Sequence, residues 1–152
     1  MMSAETPNKH VAKTPIHLWM VGTIFMVIYG VGIYDYLMVQ AQNVMYLNSL
    51  NVKGDVVAYF TGYPFLLKIP WGINVFSGLM AAVLLLLRKK QAVGFALLAG
   101  LAKLVLDIAT FTFLGRWEVF GMQASLIDLS ILVLTFLLVV YCTKMLKQGV
   151  LG

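Results

Sequence analysis

Residues 91–114, QAVGFALLAGLAKLVLDIATFTFL, form an apolar run in which Lys103 and Asp107 are the only charged residues. An α-helix rises about 1.5 Å per residue, so a helix over this run is long enough to cross the ~30 Å hydrocarbon core of a bilayer. Comparable charge-poor runs cover residues 17–38, 64–87 and 121–143. The sequence therefore predicts four transmembrane helices.

The composition excludes an ordinary soluble domain. Of the 152 residues, 61% are apolar and 11% are charged, whereas soluble domains carry about 25% charged residues. We therefore predict an all-α fold, an integral membrane four-helix bundle in a single domain over residues 15–148. A disordered cytoplasmic tail is predicted over residues 1–14.

The connection between the first and second helices, residues 39–63, is the only long one. Within it, residues 55–60 predict a short helix that lies in the membrane interface, where its aromatic side chains are favoured. Pro64 suits the first position of the following helix, because a missing N–H has no cost there. Pro70 then lies inside the second helix and should kink it, and a start at Pro70 is the competing boundary.

The distribution of positive charge predicts the orientation of the bundle, because loops on the cytoplasmic side carry an excess of Lys and Arg. With a cytoplasmic N-terminus, seven positive residues lie inside: Lys9, Lys13, Arg88, Lys89, Lys90, Lys144 and Lys147. Three lie outside: Lys53, Lys68 and Arg116. We therefore expect both termini in the cytoplasm and the long loop outside. Since the positive charges flank apolar segments, the expected partner is the lipid bilayer and not a nucleic acid.

Lys103 and Asp107 lie on a face of the third helix that consists of small residues. At 100° per residue, this face also holds Ala92, Ala96, Ala99, Gly100 and Thr110. Small residues allow helices to approach closely, so this face should point into the bundle. The same spacing groups Asn74 with Ser77, Gly78 and Ala81 on the second helix, and Asp128 with Ala124, Ser125, Thr135 and Cys142 on the fourth.

Counted inward from the outer helix ends, the polar residues Asn74, Lys103, Asp107 and Asp128 fall in the outer half of the membrane. Ionisable residues inside a membrane segment are costly, by about 2.5–3.5 kcal/mol at a helix centre, and commonly mark functional sites. We predict an outward-facing polar cavity formed by these four residues, with Asp35, Tyr34, Tyr36 and Trp71 at its rim.

Two interpretations of this cluster remain open. Lys103 and Asp107 are four residues apart on one helix, so they can form an ion pair that only neutralises their charges. Alternatively, Asp128 adds a second acid to that pair, and the remaining negative charge attracts a proton, a cation or a cationic ligand.

No motif for catalysis or cofactor binding is found in the sequence. Ser-His-Asp, phosphate-loop and HExxH patterns are missing. Two histidines, His10 and His17, without suitable partners make a poor metal site, and one cysteine, Cys142, cannot form an internal disulfide. We therefore expect a protein that is not an enzyme and has no metal or cofactor.

Four stretches of the chain resemble a family of small bacterial four-helix inner-membrane proteins. They are GIYDYLMVQ (32–40), YFTGYP (59–64), WGINVFSG (71–78) and LLLLRKKQA (84–92). The resemblance extends over roughly residues 15–112, and the chain departs from the pattern at Val39, where threonine is usual. Some members carry the label "sugar transporter". The resemblance implies the same fold and a bacterial inner (plasma) membrane location, but it supplies no binding residues.

The sequence thus predicts that the cavity binds or transports a small polar or cationic solute, with proton coupling and in a homo-oligomer. The alternative is a non-catalytic subunit or scaffold that docks on a larger membrane complex through its small-residue faces.

Overall fold

The computed structural model describes residues 12–152, which form six helices and no strand. Four are long: α1 (Ile16–Gln40), α4 (Phe65–Leu86), α5 (Gln91–Phe113) and α6 (Arg116–Lys147). Two are short and lie in the connection between α1 and α4: α2 (Val44–Ser49) and α3 (Val56–Thr61). Residues 1–11 of the predicted tail lie outside the described residues.

The four long helices are each long and apolar enough to cross a membrane. Their outward faces carry bulky apolar side chains, among them Val31, Val105 and Val133, each more than half exposed. Such side chains are favourable against lipid but not against water. The chain is therefore a multi-pass membrane protein with a four-helix bundle, as the sequence predicts.

The start of α4 agrees with the earlier of the two predicted boundaries. Pro64 is the residue that caps the helix, and the helix continues through Pro70. The sequence predicts Pro64 as the first residue inside the helix. It lies one position earlier, as the N-cap, because its backbone angles (φ −59°, ψ 131°) are not helical. Gly72 lies against the ring of Tyr36 on α1, at a distance that leaves little space for a larger residue.

Helix α6 begins at Arg116, earlier than the predicted start at Gly121. Gly121 itself is not helical (φ 77°, ψ 176°) and divides α6 into a short first segment and a long apolar one. Its positive φ suits glycine, which has no Cβ to clash. The predicted boundary therefore coincides with a kink and not with the beginning of the helix.

The helices pack in the order α1, α4, α5, α6, so that α4 lies between α1 and α5. Between α1 and α6 there is no comparable interface. Two side-chain hydrogen bonds bridge that gap: Tyr29 Oη to Thr135 Oγ1 at 2.8 Å, and His17 Nδ1 to Tyr141 Oη at 2.5 Å. The bundle is thus well closed on three sides and sparsely closed on the fourth.

The predicted small-residue faces of α4 and α5 are buried inside the bundle, and that of α6 is buried except at Ala124 and Asp128, which are partly exposed. Every member predicted for α5 is buried, including Ala92, Ala96 and Ala99 with no exposed surface. On α4, Gly78 lies directly beneath the ring of Tyr29 from α1. The small residues therefore serve contacts within one chain.

The two ends of the bundle differ. At one end, which we call the terminal end, Arg88 donates hydrogen bonds to the carbonyl oxygens of Ala12 (3.2 Å) and Val150 (3.1 Å). At the other, the capped end, residues 41–64 with α2 and α3 cover the bundle. The amide of Gly54 in this cap donates to the carbonyl oxygen of Val119 at 2.7 Å, which attaches the cap to α6.

Candidate functional site

Lys103, Asp107 and Asp128 form one ion network beneath the cap. Nζ of Lys103 lies 2.6 Å from Oδ1 of Asp107 and 2.6 Å from Oδ1 of Asp128. The side chains of Lys103 and Asp107 are each 5% exposed, and that of Asp128 is 16% exposed. The first contact joins two turns of α5 and the second joins α5 to α6. The structure thus contains both the ion pair of Lys103 with Asp107 and the second acid, Asp128, that the two interpretations of the sequence invoke.

Arg116 is a fourth member of the network, although its position in the sequence predicts only an outer loop. Its Nε lies 2.8 Å from Oδ2 of Asp128, but the N–H is not directed at the oxygen, so the contact is an ion pair without hydrogen-bond geometry. The guanidinium also lies 4.5 Å from the centre of the Phe120 ring, a favourable cation–π arrangement. Gly115 (φ 55°) and Gly121 on either side bend the chain around it.

A cavity of about 100 Å³ adjoins the network. Its charged and amide-bearing lining residues are Asp35, Asn74, Lys103, Asp107, Arg116 and Asp128. Drug-sized ligands occupy pockets of about 300–1,000 Å³. This cavity therefore fits a few water molecules or one small ion or solute.

Asp107, a lining residue of the cavity, has one carboxylate oxygen without a hydrogen-bond partner in the described part of the chain. Oδ2 of Asp107 is buried and has no hydrogen-bond partner within residues 12–152. The great majority of buried polar atoms in proteins have such a partner, in the protein or in bound water. This oxygen therefore retains the capacity to accept a hydrogen bond from a bound molecule.

The net charge of the cavity lining also favours a particular kind of ligand. Three of the lining residues are acidic, Asp35, Asp107 and Asp128, and two are basic, Lys103 and Arg116. With each group in its ordinary charge state the lining carries one excess negative charge. An unbalanced charge away from water is costly, so a cation or a proton is favoured in the cavity.

Asn74 and Asp35 line the cavity, but each already has a partner. Nδ2 of Asn74 donates to the carbonyl oxygen of Ala99 at 3.0 Å, which joins α4 to α5. Oδ1 of Asp35 accepts a hydrogen bond of 2.7 Å from the hydroxyl of Tyr46 in α2. Partial burial and, second, this hydrogen bond raise the pKa of Tyr46 above its ordinary value. The phenol therefore stays protonated and keeps its role as a donor that holds the cap on α1.

The predicted rim is only partly found. Trp71 and Asp35 line the cavity, whereas Tyr34 and Tyr36 do not. Successive helical residues point about 100° apart, so the neighbours of an inward-facing Asp35 face sideways. Tyr34 is 52% exposed and contacts the ring of Tyr46, and Tyr36 packs edge-on against Trp71. Tyr34 and Tyr36 therefore do not line the cavity, but each contacts a residue beside it.

Aromatic side chains close the capped end above the cavity. The rings of Phe60 and Trp71 stack with their centres 5.8 Å apart, and Tyr63 contacts both of them. Burial raises the pKa of Tyr63 and of Tyr59. These phenols thus add no negative charge to the site at neutral pH.

A groove of about 340 Å³ lies between α1, α6 and the cap, and it meets the cavity. The cap contributes Tyr46, Leu50, Val52 and Phe60 to its lining. The two spaces share lining residues from both helices, including Asp35 and Asp128. The remaining lining of the groove is mainly apolar, for example Val31, Ile127 and Phe120. The polar cavity is thus open toward the side of the bundle.

Comparison of the chain with protein-family models, with curated proteins and with solved structures finds no match.

Proposed function

We propose that this protein binds a small polar solute, preferentially a cation, in the cavity beneath its cap. The observation that carries the proposal is the buried Oδ2 of Asp107, an oxygen of a cavity-lining residue that has no hydrogen-bond partner within residues 12–152. The excess of acidic over basic lining residues also favours a cation. The volume of the cavity limits the part of the ligand that lies inside it to the size of an ammonium or methylammonium group.

The proposal assigns a role to each member of the network. Asp107 accepts a hydrogen bond from the ligand, while Lys103 holds the other oxygen of the same carboxylate in place. Asp128 is shared by Lys103 and Arg116, so it serves as the second acid of the site. Asn74 positions α4 through its bond to Ala99 and presents an amide to the cavity.

We also propose that the solute is transported in exchange for a proton, since the free carboxylate can carry either. Four helices seldom enclose a whole pathway, so transport would require more than one copy of the chain. The alternative function, a scaffold that docks through its small-residue faces, has less support, because those faces are buried against neighbouring helices of the same chain.

A bacterial inner-membrane location, with both termini in the cytoplasm, completes the proposal. The excess of Lys and Arg at the terminal end supports this orientation. A cysteine at Asn48, in a Cys142→Ser background, tests it with a membrane-impermeant maleimide. Asn48 is exposed on α2, and Asn51 suits the test less because its positive φ disfavours cysteine. Labelling from the periplasm is expected, and labelling only after lysis would contradict the orientation.

The binding proposal is tested by thermal unfolding of the detergent-purified protein with a panel of sugars, amino acids and organic cations. A ligand that binds the folded state raises its stability, by about 2.7 kcal/mol at a concentration of 100 times Kd. Small cations should stabilise the wild-type protein and fail to stabilise Asp107→Asn or Asp128→Asn. Asp55→Asn is the matched control, because Asp55 caps α3 at the surface and asparagine caps equally well. A flat response of the wild-type protein to every cation would contradict the proposal.

A further inference from the structure

The gap between α1 and α6 gives the site a second compartment. The groove of about 340 Å³ is larger than the cavity of about 100 Å³, and both are lined by Asp35, Trp71, Arg116 and Asp128. A ligand whose charged group lies in the cavity can therefore extend into the groove.

The chemistry of the groove changes along its length. At the inner end stand the carboxylates of Asp35 and Asp128, and farther out the wall is formed by apolar side chains such as Val31 and Ile127. Both of these apolar residues are more than half exposed on the outer face of their helices. The groove thus leads from the charged site to the lipid-facing surface of the bundle.

We propose that the ligand of this site is an alkylammonium ion, whose head lies beside Asp107 in the cavity and whose alkyl chain lies in the groove between α1 and α6. This inference rests on the proposed function, because it assigns a substrate class to the same site. The occupant follows from charge and from shape together. The excess negative charge of the lining selects a cationic head, and the apolar wall selects a hydrocarbon chain.

Aromatic rings strengthen the choice of an ammonium head over a strongly hydrated inorganic cation. Trp71 lines both spaces, and Tyr63 lines the cavity. Ammonium groups with organic substituents are attracted to the faces of such rings. Arg116 does not reverse this selection, because it is already paired with Asp128 and covers Phe120.

The proposal predicts that affinity increases with chain length. Each methylene that leaves water strengthens binding by about fourfold. Even partial burial of a hexyl chain should therefore make hexylammonium bind at least about tenfold more tightly than methylammonium. Hexanoate has a similar chain and the opposite charge, and it should not compete with either amine.

The test is isothermal titration of the purified full-length protein with methylammonium, hexylammonium and hexanoate. Two substitutions fill the groove, Ala124→Trp and the smaller Ala124→Leu, since Ala124 lines the groove and not the cavity. The control is Val133→Trp, which places the same tryptophan side chain at an exposed position of α6 outside the groove. The leucine variant keeps the test valid if the tryptophan variant does not fold.

The expected result is a loss of about tenfold or more in hexylammonium affinity in the groove variants, with methylammonium affinity unchanged and the control like wild type. Equal affinity for the two amines in the wild-type protein would overturn the groove assignment while leaving the proposed function intact. An unchanged hexylammonium affinity in both groove variants would overturn it in the same way. Failure of both amines to bind would contradict the proposed function itself.

Discussion

The terminal and capped halves of the bundle bury their interiors in different ways. Toward the terminal end, α1 and α4 meet so closely that a Cβ atom on Gly22 or Gly78 would collide with Leu86 or Tyr29. Toward the capped end, the same two helices contribute Gly32, Asp35 and Asn74 to the wall of a cavity. The first half depends on close packing of small residues, and the second on paired charges around a space.

This difference shows how one bundle can combine stability with a binding site. Between helices in lipid, close packing and hydrogen bonds supply the attraction, because hydrocarbon surrounds the helices on the outside as well. The packed half can therefore support helices whose other half contains ionised groups. Tyr29 lies between the two, since it covers Gly78 and donates or accepts a hydrogen bond with Thr135 across the α1–α6 gap.

The largest loss of stability is expected from the removal of Lys103, which contacts both Asp107 and Asp128. Lys103→Met leaves Asp107 buried without a counter-charge, and breaking a buried pair costs about 3–5 kcal/mol. We expect a loss of that size in the free energy of unfolding, measured by reversible unfolding in mixed micelles. The exposed Lys53→Met serves as the control.

A double variant separates charge from packing. Lys103→Leu combined with Asp107→Ala removes both charges of the pair, while Asp128 keeps its ion pair with Arg116. Most of the lost stability should return. If Lys103→Met were as stable as the control, the capped half would not depend on its charges, and the contrast between the halves would fail.

A smaller loss is expected from a substitution in the packed half. Gly78→Val places side-chain atoms where the ring of Tyr29 lies, and the displaced ring also loses its bond to Thr135. Overpacking of this kind costs about 1–3 kcal/mol. Gly30→Val is a matched control, because no atom outside the immediate neighbourhood lies within 4 Å of a Cβ atom at Gly30. Equal stability of the two variants in the same unfolding assay would contradict close packing of α1 on α4.

The smallest loss of stability is expected when one hydrogen bond that attaches the cap to α1 is removed. Tyr46→Phe removes the hydrogen bond to Asp35 and should cost about 1–2 kcal/mol, since the bond involves a carboxylate at a partly exposed position. The pKa of Tyr46 is higher in the folded protein than in the unfolded chain. This contribution is therefore fully present below the ordinary tyrosine pKa of about 10, and declines as the pH rises through the folded-state value. Unfolding of both proteins between pH 7 and pH 10 should show a constant difference, and no difference at any pH would contradict this role.

The long helices and their inward faces could be predicted from the sequence because both follow from periodicity. The small residues that accompany Lys103 on α5 recur at helical spacing, and all of them are buried. The pairing of Lys103 with Asp107 follows from their separation by four residues on one helix. These features need no knowledge of how the helices are arranged.

The remaining parts of the site depend on tertiary structure and could not be predicted. Arg116 joins the network because glycines at 115 and 121 turn the chain back toward Asp128. The unbalanced charge of the predicted cluster was the one signal that a further cation lies nearby. The open gap between α1 and α6 likewise depends on the order in which the helices pack. Tyr34 and Tyr36 do not line the cavity with Asp35, because three successive helical residues do not share one face.

The central claim is that the free carboxylate oxygen of Asp107 binds a cation in the cavity. Equilibrium binding of radiolabelled methylammonium to purified wild-type protein, Asp107→Asn and Asp55→Asn tests it most directly. The account predicts saturable binding to the wild type and to Asp55→Asn, and a loss of at least about tenfold in affinity for Asp107→Asn, because a hydrogen bond to a charged group contributes about 1.5–3 kcal/mol. Undiminished binding to a folded Asp107→Asn protein, or no saturable binding to the wild type, would contradict it.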